Sequence, residues 1–251
     1  MALLTVETGS PTLRMTTTIH MISPVDSGNT SGGTLYLLHG AGDNASTWHR
    51  LTTVEQYASH YGCTVIMPQV GRSYYTDMAY GLDYFHYVTK ELPELCGRML
   101  RLTDDPQKTY IAGLSMGGYG ALKCALTYPE QYSKAVSLSG VPNLQQRLND
   151  PQMTPELARE MAGTFGERLQ VKPEQDIYAL SAKLITEGRR LPALLACCGS
   201  EDPFVDMNRD FASYMDKLPY DFRYVETPGT HEWRFWEEHL KTTFEFLYNN
   251  N

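Results

Sequence analysis

The chain has 251 residues, of which 42% are hydrophobic and 20% are charged, and its formal net charge is -8. This length and composition suit one globular domain with a full core and exclude a disordered or fibrous protein. The acidic balance argues against nucleic acid as a partner, because a negative surface repels phosphate backbones.

Neither a signal peptide nor a membrane helix is expected. The first residues lack a basic segment followed by an apolar run, and no stretch reaches the roughly 18 apolar residues that a membrane helix needs. The five cysteines are odd in number, and no two of them form a CxxC pair. We therefore expect reduced, buried thiols, no metal site and a cytoplasmic protein.

Short apolar runs alternate with longer helical patterns along most of the chain. The first is predicted to be an antiparallel edge strand at 12–22, where threonines partly alternate with apolar residues. Buried parallel strands are predicted at 34–40, 63–68, 109–113, 134–140 and 191–199, with a further strand at 221–227. Helices are predicted at 45–60, 83–102, 116–127, 204–217 and 232–248. This alternation is typical of a doubly wound, mostly parallel α/β sheet, and we interpret residues 1–251 as one domain.

The region 141–190 interrupts this alternation. It contains four prolines, two predicted short helices and no strong strand pattern. We interpret it as an insertion between two strands that lies over one edge of the sheet. Two roles stay open for it, an elaborated connector and a small cap that shapes a binding pocket.

A serine among glycines follows the strand predicted at 109–113. Gly113-Leu114-Ser115-Met116-Gly117 matches the G-x-S-x-G pattern, and a predicted helix begins directly after it. A sharp turn from strand to helix strains the serine and leaves no room for side chains two positions away, so glycine fits there. Gly118 and Gly120 are expected to let the helix approach the sheet closely. The Ser115 hydroxyl is thereby predicted to be an exposed nucleophile at the carboxyl end of the sheet.

A serine nucleophile needs a base and a carboxylate that orients the base. Two histidines follow Ser115, and we favour His231, which lies in a turn, over His239, which lies inside a helix and should face solvent. Asp202 follows a predicted strand at the same sheet edge and is the favoured carboxylate, with Glu201 in reserve. Asp202 could instead cap the helix that follows it.

The oxyanion of an acyl-transfer reaction needs two donors. The backbone N–H groups of Met116 and Ala41 are the candidates, because Ala41 lies in the small-residue loop after the strand at 34–40. His39, just before that loop, is expected to be structural.

Several aromatic residues flank the predicted catalytic loops. Trp48, Tyr74 and Trp233 are candidates for the walls of the substrate pocket, because each lies near a loop at the carboxyl edge. Ordinary core or surface packing would explain the same aromatic residues without any contact to substrate.

Five separated segments resemble one known group of enzymes. These are YLLHGAGDNASTW, RSYYTDMAYGLDYFHYVTKELP, IAGLSMGGYGALKCAL, CCGSEDPFVDMNRDF and THEWRFWEEHL. Together they resemble the esterase D-like α/β hydrolases, which include S-formylglutathione hydrolases and feruloyl esterases, and most of all the bacterial short-chain tributyrin esterases. The resemblance implies an α/β-hydrolase fold and a catalytic triad of Ser115, Asp202 and His231. It also implies oxyanion donors at Ala41 and Met116, ester hydrolysis without metal or cofactor, and often a homo-oligomer, either a dimer or a tetramer.

The sequence therefore predicts a serine carboxylesterase that hydrolyses short-chain acyl esters of small molecules through an acyl-enzyme intermediate. The same triad could serve hydrolysis of a thioester such as S-formylglutathione, hydrolysis of feruloyl or acetyl esters of carbohydrates, or acyl transfer. A protein that only binds or acts as a scaffold would be expected to lack a triad member, and none is missing.

Overall fold

The computed structural model describes residues 1–24, 32–100, 102 and 105–248. The helix predicted over 83–102 and the single domain predicted over 1–251 both include some residues outside these ranges. No helix in the described part of the chain is both long and apolar enough to cross a membrane.

The described strands form a single, mostly parallel sheet. They are β1 (Ala2–Ser10), β2 (Met15–Ser23), β3 (Thr34–Leu38), β4 (Thr64–Pro68), β5 (Thr109–Leu114), β6 (Lys134–Leu138), β7 (Ala193–Gly199) and β8 (Phe222–Thr227). Their spatial order is β1-β2-β4-β3-β5-β6-β7-β8. β1 and β2 run antiparallel to their neighbours, and the other strands are parallel. The prediction of a doubly wound, mostly parallel sheet is confirmed.

The amino-terminal strand was missed by the sequence prediction. The strand expected at the edge, β2, pairs along its whole length with β1, so β1 is the edge strand on this side of the sheet. In β1 the side chains of Leu4 and Val6 pack against the core, whereas Leu3 and Glu7 are exposed. β1 is therefore a half-buried strand, whose alternating pattern is weaker than that of a fully buried strand.

The helices lie between the strands as the α/β pattern predicts. The α-helices of the described residues are α1 (Thr47–Leu51), α2 (Val54–Tyr61), α3 (Tyr84–His86), α4 (Leu92–Leu100), α5 (Met116–Thr127), α6 (Leu144–Leu148), α7 (Pro155–Phe165), α8 (Ile177–Thr186), α9 (Val205–Met215), α10 (Trp233–Glu238) and α11 (Leu240–Tyr248). A π-helical turn joins α3 to α4, and 3-10 turns lie at Pro106–Lys108 and Pro173–Gln175. α5 has the predicted bounds, whereas the segments predicted as single helices at 45–60 and 232–248 are each two helices.

Two apolar clusters cover the two faces of the sheet. One contains buried residues of α4, α5, α8 and α9, and the other contains buried residues of α2, α10 and α11. Successive residues of β5 point to opposite clusters: Ile111 belongs to the first cluster and Ala112 to the second. This alternation between two covered faces explains why the central strands are continuous apolar runs.

The region 141–190 differs from its prediction in one respect. It holds three α-helices, α6, α7 and α8, rather than two. Ile177 and Leu184 of α8 are buried in the same cluster as α5, so α8 is the helix that connects the parallel strands β6 and β7. Only the part that contains α6 and α7 departs from the regular α/β alternation.

The cysteines are buried and free, as predicted. Burial raises the pKa of the Cys197 thiol to about 12 and that of Cys63 to about 11. These thiols therefore stay protonated at neutral pH and are poor nucleophiles.

Candidate active site

Ser115 occupies a strained turn between β5 and α5. Its backbone dihedral angles are φ 53° and ψ -118°, and its N–H donates to the carbonyl of Leu138 on β6 at 2.8 Å. A Cβ atom at Gly113 would lie 2.3 Å from the carbonyl oxygen of Gly117, and a Cβ at Gly117 would lie 2.5 Å from the carbonyl oxygen of Leu38. Both glycines of the G-x-S-x-G pattern are thus required by close backbone contacts, as the sequence predicts.

The two glycines that follow serve different contacts. A Cβ at Gly118 would lie 2.7 Å from Ser137 Oγ on β6, which agrees with close approach of α5 to the sheet. At Gly120 it would lie 2.5 Å from the ring of Tyr75, so this glycine admits a side chain from the loop after β4. The expectation that Gly120 also faces the sheet is wrong.

The three residues predicted as a triad are in hydrogen-bond contact. Ser115 Oγ and His231 Nε2 are 3.0 Å apart, and His231 Nδ1 and Asp202 Oδ2 are 2.8 Å apart. A carboxylate can only accept, so Nδ1 must be the protonated nitrogen and Nε2 is left to accept from the hydroxyl. Ser115, Asp202 and His231 follow the carboxyl ends of β5, β7 and β8, which meet at one edge of the sheet.

The Asp202 carboxylate contacts both His231 and the backbone just before α9. Its Oδ1 accepts from the N–H of Phe204 at 2.8 Å, and its backbone carbonyl accepts from the N–H of Val205 at 3.0 Å. Its side chain is fully buried, whereas the neighbouring Glu201 is exposed. Phe204 is the N-cap residue of α9, and among the described residues no side chain caps this helix, so the alternative that Asp202 caps it is wrong. The Asp202 carboxylate instead accepts from His231 and from the N–H of Phe204.

Two aromatic rings pack edge-on against the imidazole of His231. The ring centroids of Phe204 and Trp236 lie 5.2 Å and 5.1 Å from that of His231, each nearly perpendicular to it. The Trp236 indole donates to Ser139 Oγ at 3.1 Å, and Ser139 itself has a positive φ of 48°. Phe204 lies two positions after Asp202 and Trp236 lies five positions after His231, and this closeness in sequence is the signal that could have identified them.

His239 has a structural role, and the prediction that it faces solvent is wrong. It is buried where α10 gives way to α11, with Nδ1 2.9 Å from the carbonyl of Phe235 and Nε2 3.1 Å from Thr227 Oγ1. Because the predicted helix is divided into two shorter ones at this residue, its side chain packs inward.

The loop after β3 is held by its own side chains. His39 is 1% exposed, and its Nδ1 contacts the carbonyl of Gly40 at 2.8 Å while its Nε2 accepts from the N–H of Val70 at 3.3 Å. Burial lowers the pKa of His39, so it is a neutral donor through Nδ1. In the trans peptide between Gly40 and Ala41 the N–H of Ala41 points away from the carbonyl that His39 holds. His39 is structural, as expected, and it fixes the peptide that carries the Ala41 N–H.

Met116 begins α5 directly after the serine. N–H groups in the first turn of a helix have no intrahelical acceptor and favour an anion. The thioether sulfur of Met116 accepts from the N–H of Tyr74 at 3.4 Å, and the Met116 side chain is buried in the core. That Met116 and Ala41 donate to an oxyanion remains a prediction.

A cavity of about 530 Å³ opens beside the Ser115 hydroxyl. Its apolar walls are Tyr74, Val141, Leu157, Phe204, Trp233 and Trp236. Arg72 and Arg147 also line it, and each pairs with a carboxylate, Arg72 with Glu160 and Arg147 with Asp150. The cavity walls are therefore mostly apolar, and the charged residues among them are these two partnered arginines together with Asp43 and Glu232.

The three aromatic residues predicted as pocket walls are placed differently. Tyr74 and Trp233 line the cavity. Burial raises the pKa of the Tyr74 phenol, and the positive charge of Arg147 partly offsets this effect. Trp48 is fully buried behind the cavity, where its indole donates to the carbonyl of Leu38 at 3.0 Å and its ring meets Trp233 edge-on at 5.2 Å. The prediction for Trp48 is wrong, because its ring supports Trp233 instead of facing the cavity.

Within the described ranges, no group of three or more histidine, cysteine, aspartate or glutamate side chains is arranged to hold a metal ion. The chemistry that this arrangement can perform with its own residues is proton transfer through His231 and nucleophilic attack by the Ser115 hydroxyl. Leu157 of α7 and Arg147 of α6 bring the region 141–190 to the cavity wall.

The chain is similar to esterases and serine hydrolases in both sequence and structure. A family model described as a putative esterase matches residues 10–247. The chain is 28% identical to an acetyl esterase of Caldicellulosiruptor saccharolyticus over 98% of both chains. It is 32% identical to the fluorophosphonate-binding serine hydrolase FphF of Staphylococcus aureus, with a TM-score of 0.90 over 99% of both chains. It is also 32% identical to an S-formylglutathione hydrolase of the same species, with a TM-score of 0.87 and the same coverage. The chain belongs to the putative esterase family and is a carboxylic ester hydrolase with the α/β-hydrolase fold.

Proposed function

We propose that Ser115, His231 and Asp202 hydrolyse short-chain acyl esters through an acyl-enzyme. In the first half of the reaction the Ser115 oxygen attacks the ester carbonyl carbon while its proton passes to His231 Nε2. The carbon–oxygen bond to the alcohol then breaks, and the alcohol leaves with the proton from His231. Asp202 holds the imidazole in the required tautomer and stabilises its charged form.

In the second half, water takes the place of the alcohol. His231 removes a proton from the water, whose oxygen attacks the acyl carbon, and Ser115 leaves as a hydroxyl after receiving that proton. In both halves the carbonyl oxygen becomes an oxyanion that accepts from the N–H groups of Ala41 and Met116.

One observation carries this proposal. A continuous pair of contacts, 3.0 Å from Ser115 Oγ to His231 Nε2 and 2.8 Å from His231 Nδ1 to Asp202 Oδ2, links hydroxyl, imidazole and buried carboxylate. The strained φ of Ser115 and the close contacts of its flanking glycines support the same role, because they hold the hydroxyl at the mouth of a cavity.

The cavity has room for a small-molecule ester. Its volume of about 530 Å³ falls within the usual range of small-molecule sites, so the length of the acyl chain has to be measured. Tyr74, Trp233 and Leu157 are the walls we propose to contact substrate. A panel of p-nitrophenyl esters from acetate to laurate, with tributyrin, methyl ferulate and S-formylglutathione, would separate the short-chain esterase from the feruloyl esterase and the thioesterase. Added alcohol acceptors would reveal acyl transfer.

The test of the nucleophile is Ser115→Ala. We expect it to abolish hydrolysis of p-nitrophenyl acetate and labelling by a fluorophosphonate probe while the thermal unfolding temperature stays near that of the wild type. Ser59→Ala, on the exposed face of α2, is the matched control and should keep full activity and labelling. Substantial activity in Ser115→Ala would remove the nucleophile assignment.

We also propose that the enzyme is cytoplasmic and forms a dimer or tetramer. The free, buried cysteines support a reducing compartment. In the sheet of the described residues, β1 has a neighbour on one side only, and such an edge is a common site of contact between copies. Sedimentation analysis of the purified protein measures the number of subunits, and cell fractionation tests the compartment.

A further inference from the structure

Arg72 joins two parts of the active site that are far apart in sequence. Its Nη1 donates to the backbone carbonyl of Ala41 at 3.1 Å, and its Nε donates to Glu160 Oε1 at 2.5 Å. Ala41 lies in the loop after β3, whereas Glu160 lies on α7 of the region 141–190. A single guanidinium therefore connects the proposed oxyanion loop to a helix that forms part of the cavity wall.

The loop that carries Arg72 is itself fixed to α7. The backbone N–H of Ala79 donates to the carbonyl of Thr164, and that of Tyr80 donates to the carbonyl of Gly163, both at 2.9 Å. The segment that carries Arg72 is thus bound to α7, and the Arg72 side chain extends from it to the carbonyl of Ala41.

The peptides on both sides of Ala41 are held, each by a different side chain. His39 contacts the carbonyl of Gly40 at 2.8 Å, which is the peptide that carries the Ala41 N–H. Arg72 binds the carbonyl of Ala41, which belongs to the next peptide. Because only two backbone angles separate these peptides, fixing the second one limits rotation of the first. The Asp43 N–H also donates to the Gly40 carbonyl, at 3.2 Å. The direction of the Ala41 N–H therefore depends on Arg72 as well as on His39 and on this backbone bond.

We propose that Arg72 is a positioning residue for the oxyanion hole and that Glu160 holds it in place. A planar guanidinium presents its donors in a fixed geometry, so a shift of one partner is transmitted to the other. The inference rests on the proposed function, since it requires the Ala41 N–H to be an oxyanion donor. Leu157, one turn before Glu160 on α7, lines the cavity. A substrate that contacts Leu157 therefore touches the same helix that holds Arg72 through Glu160.

A direct contact with substrate is the competing role, because Arg72 lines the cavity. The two roles give different kinetics. Loss of a residue that binds substrate raises KM, and the size of this effect depends on the charge of the ester. Loss of a residue that orients the Ala41 N–H lowers the stability of the oxyanion for every ester. A trifluoromethyl ketone, which forms a tetrahedral adduct with the serine, measures that stability directly.

We expect Arg72→Gln to lower kcat for p-nitrophenyl acetate and p-nitrophenyl butyrate by about 5- to 20-fold, with KM changed less than twofold. Loss of an oxyanion donor costs about 100- to 1,000-fold, and here the donor is loosened rather than removed. The affinity for the trifluoromethyl ketone should fall by the same factor as kcat. Glu160→Gln should give a smaller loss, and the double variant should match Arg72→Gln alone, because both changes break one connection.

Arg189→Gln is the matched control. Arg189 forms an ion pair with Glu130 whose exposure and N–O distance are comparable to those of the Arg72–Glu160 pair. This pair lies close to the amino ends of β6 and β7, away from the cavity. It should leave kcat and inhibitor affinity within twofold of the wild type. Arg72→Lys keeps the charge but not the planar fork, so its kcat should lie between those of the wild type and Arg72→Gln; this variant also tests the proposal if Arg72→Gln unfolds.

Two results would overturn the inference. The first is an Arg72→Gln variant whose kcat and inhibitor affinity equal those of Arg189→Gln, and the second is a rise in KM alone. If Ser115→Ala is inactive and either result is found, only the role of Arg72 is lost. If Ser115→Ala remains active, the proposed function fails first, whatever Arg72→Gln does.

Discussion

Replacing Asp202 by asparagine tests the triad with the least disturbance to the fold. The carboxylate accepts two hydrogen bonds of 2.8 Å, at Oδ1 from the N–H of Phe204 and at Oδ2 from His231 Nδ1. In Asp202→Asn the amide oxygen can keep the bond to Phe204, so the start of α9 should be preserved. The amide nitrogen then faces His231 Nδ1 and can only donate to it.

The size of the effect follows from the tautomer. With the amide donating to Nδ1, the imidazole proton moves to Nε2, and Nε2 can no longer accept the proton of Ser115 at 3.0 Å. Loss of the orienting carboxylate in a serine triad lowers turnover by about 10,000-fold. That factor corresponds to about 5.4 kcal/mol of transition-state stabilisation, at about 1.36 kcal/mol for each factor of ten.

The assay is kcat for p-nitrophenyl acetate, together with the thermal unfolding temperature. Glu201→Gln is the matched control, because it neutralises the adjacent carboxylate, which is exposed and was the reserve candidate. We expect Glu201→Gln to behave as the wild type. A kcat of Asp202→Asn within tenfold of the wild type, or an equal loss in Glu201→Gln, would refute the reasoning.

Two further predictions concern the scaffold. Gly117→Ala would place a methyl group 2.5 Å from the carbonyl oxygen of Leu38, and we expect the free energy of unfolding in urea to fall by about 1–3 kcal/mol. Gly163→Ala on α7, where an added Cβ meets nothing within 4 Å, should not be destabilising; equal stability of the two variants would contradict the steric argument. Burial lowers the pKa of Lys123 from 10.5 to about 8. Between about pH 8 and pH 10.5 the unfolded chain therefore binds more protons at this residue than the folded chain does. The contribution of Lys123 to the free energy of unfolding consequently becomes more favourable as pH rises. From pH 7.5 to 9.5 the free energy of unfolding of the wild type should therefore gain about 2 kcal/mol relative to Lys123→Met, and no gain would exclude a depressed pKa.

The parts of the site that the sequence predicts are those determined by local geometry. Ser115 could be identified because its strand, its turn and its helix are contiguous, and because Gly113 closely approaches Gly117 within the same turn. Asp202 and His231 could be identified because each follows a recognisable strand, and parallel strands bring their carboxyl ends to one edge.

The parts that were missed depend on contacts between distant segments. Nothing local to Trp48 shows that its ring packs behind Trp233, since Trp48 lies in α1, Trp233 begins α10, and the two meet only in the folded chain. The same holds for Arg72, whose two partners lie 31 and 88 positions away. β1 was missed for another reason: its burial alternates, and a half-buried edge strand gives a weak apolar signal.

The two halves of the site are held by different forces. The triad residues follow strands whose register is fixed by backbone hydrogen bonds. The side chains of β5 and β7 are buried on both faces of the sheet, and those of the edge strand β8 are partly buried. The Ala41 segment and α7 depend instead on a few hydrogen bonds outside the sheet. These include the bonds of the Arg72 guanidinium, which is partly exposed to water, and the backbone bonds from Ala79 and Tyr80 to α7. Substitutions beneath the triad should therefore act mainly on folding, because they disturb the sheet. Substitutions of the residues that link Ala41 to α7 should act mainly on turnover. They leave the sheet intact and weaken the hydrogen bond from the Ala41 N–H to the oxyanion.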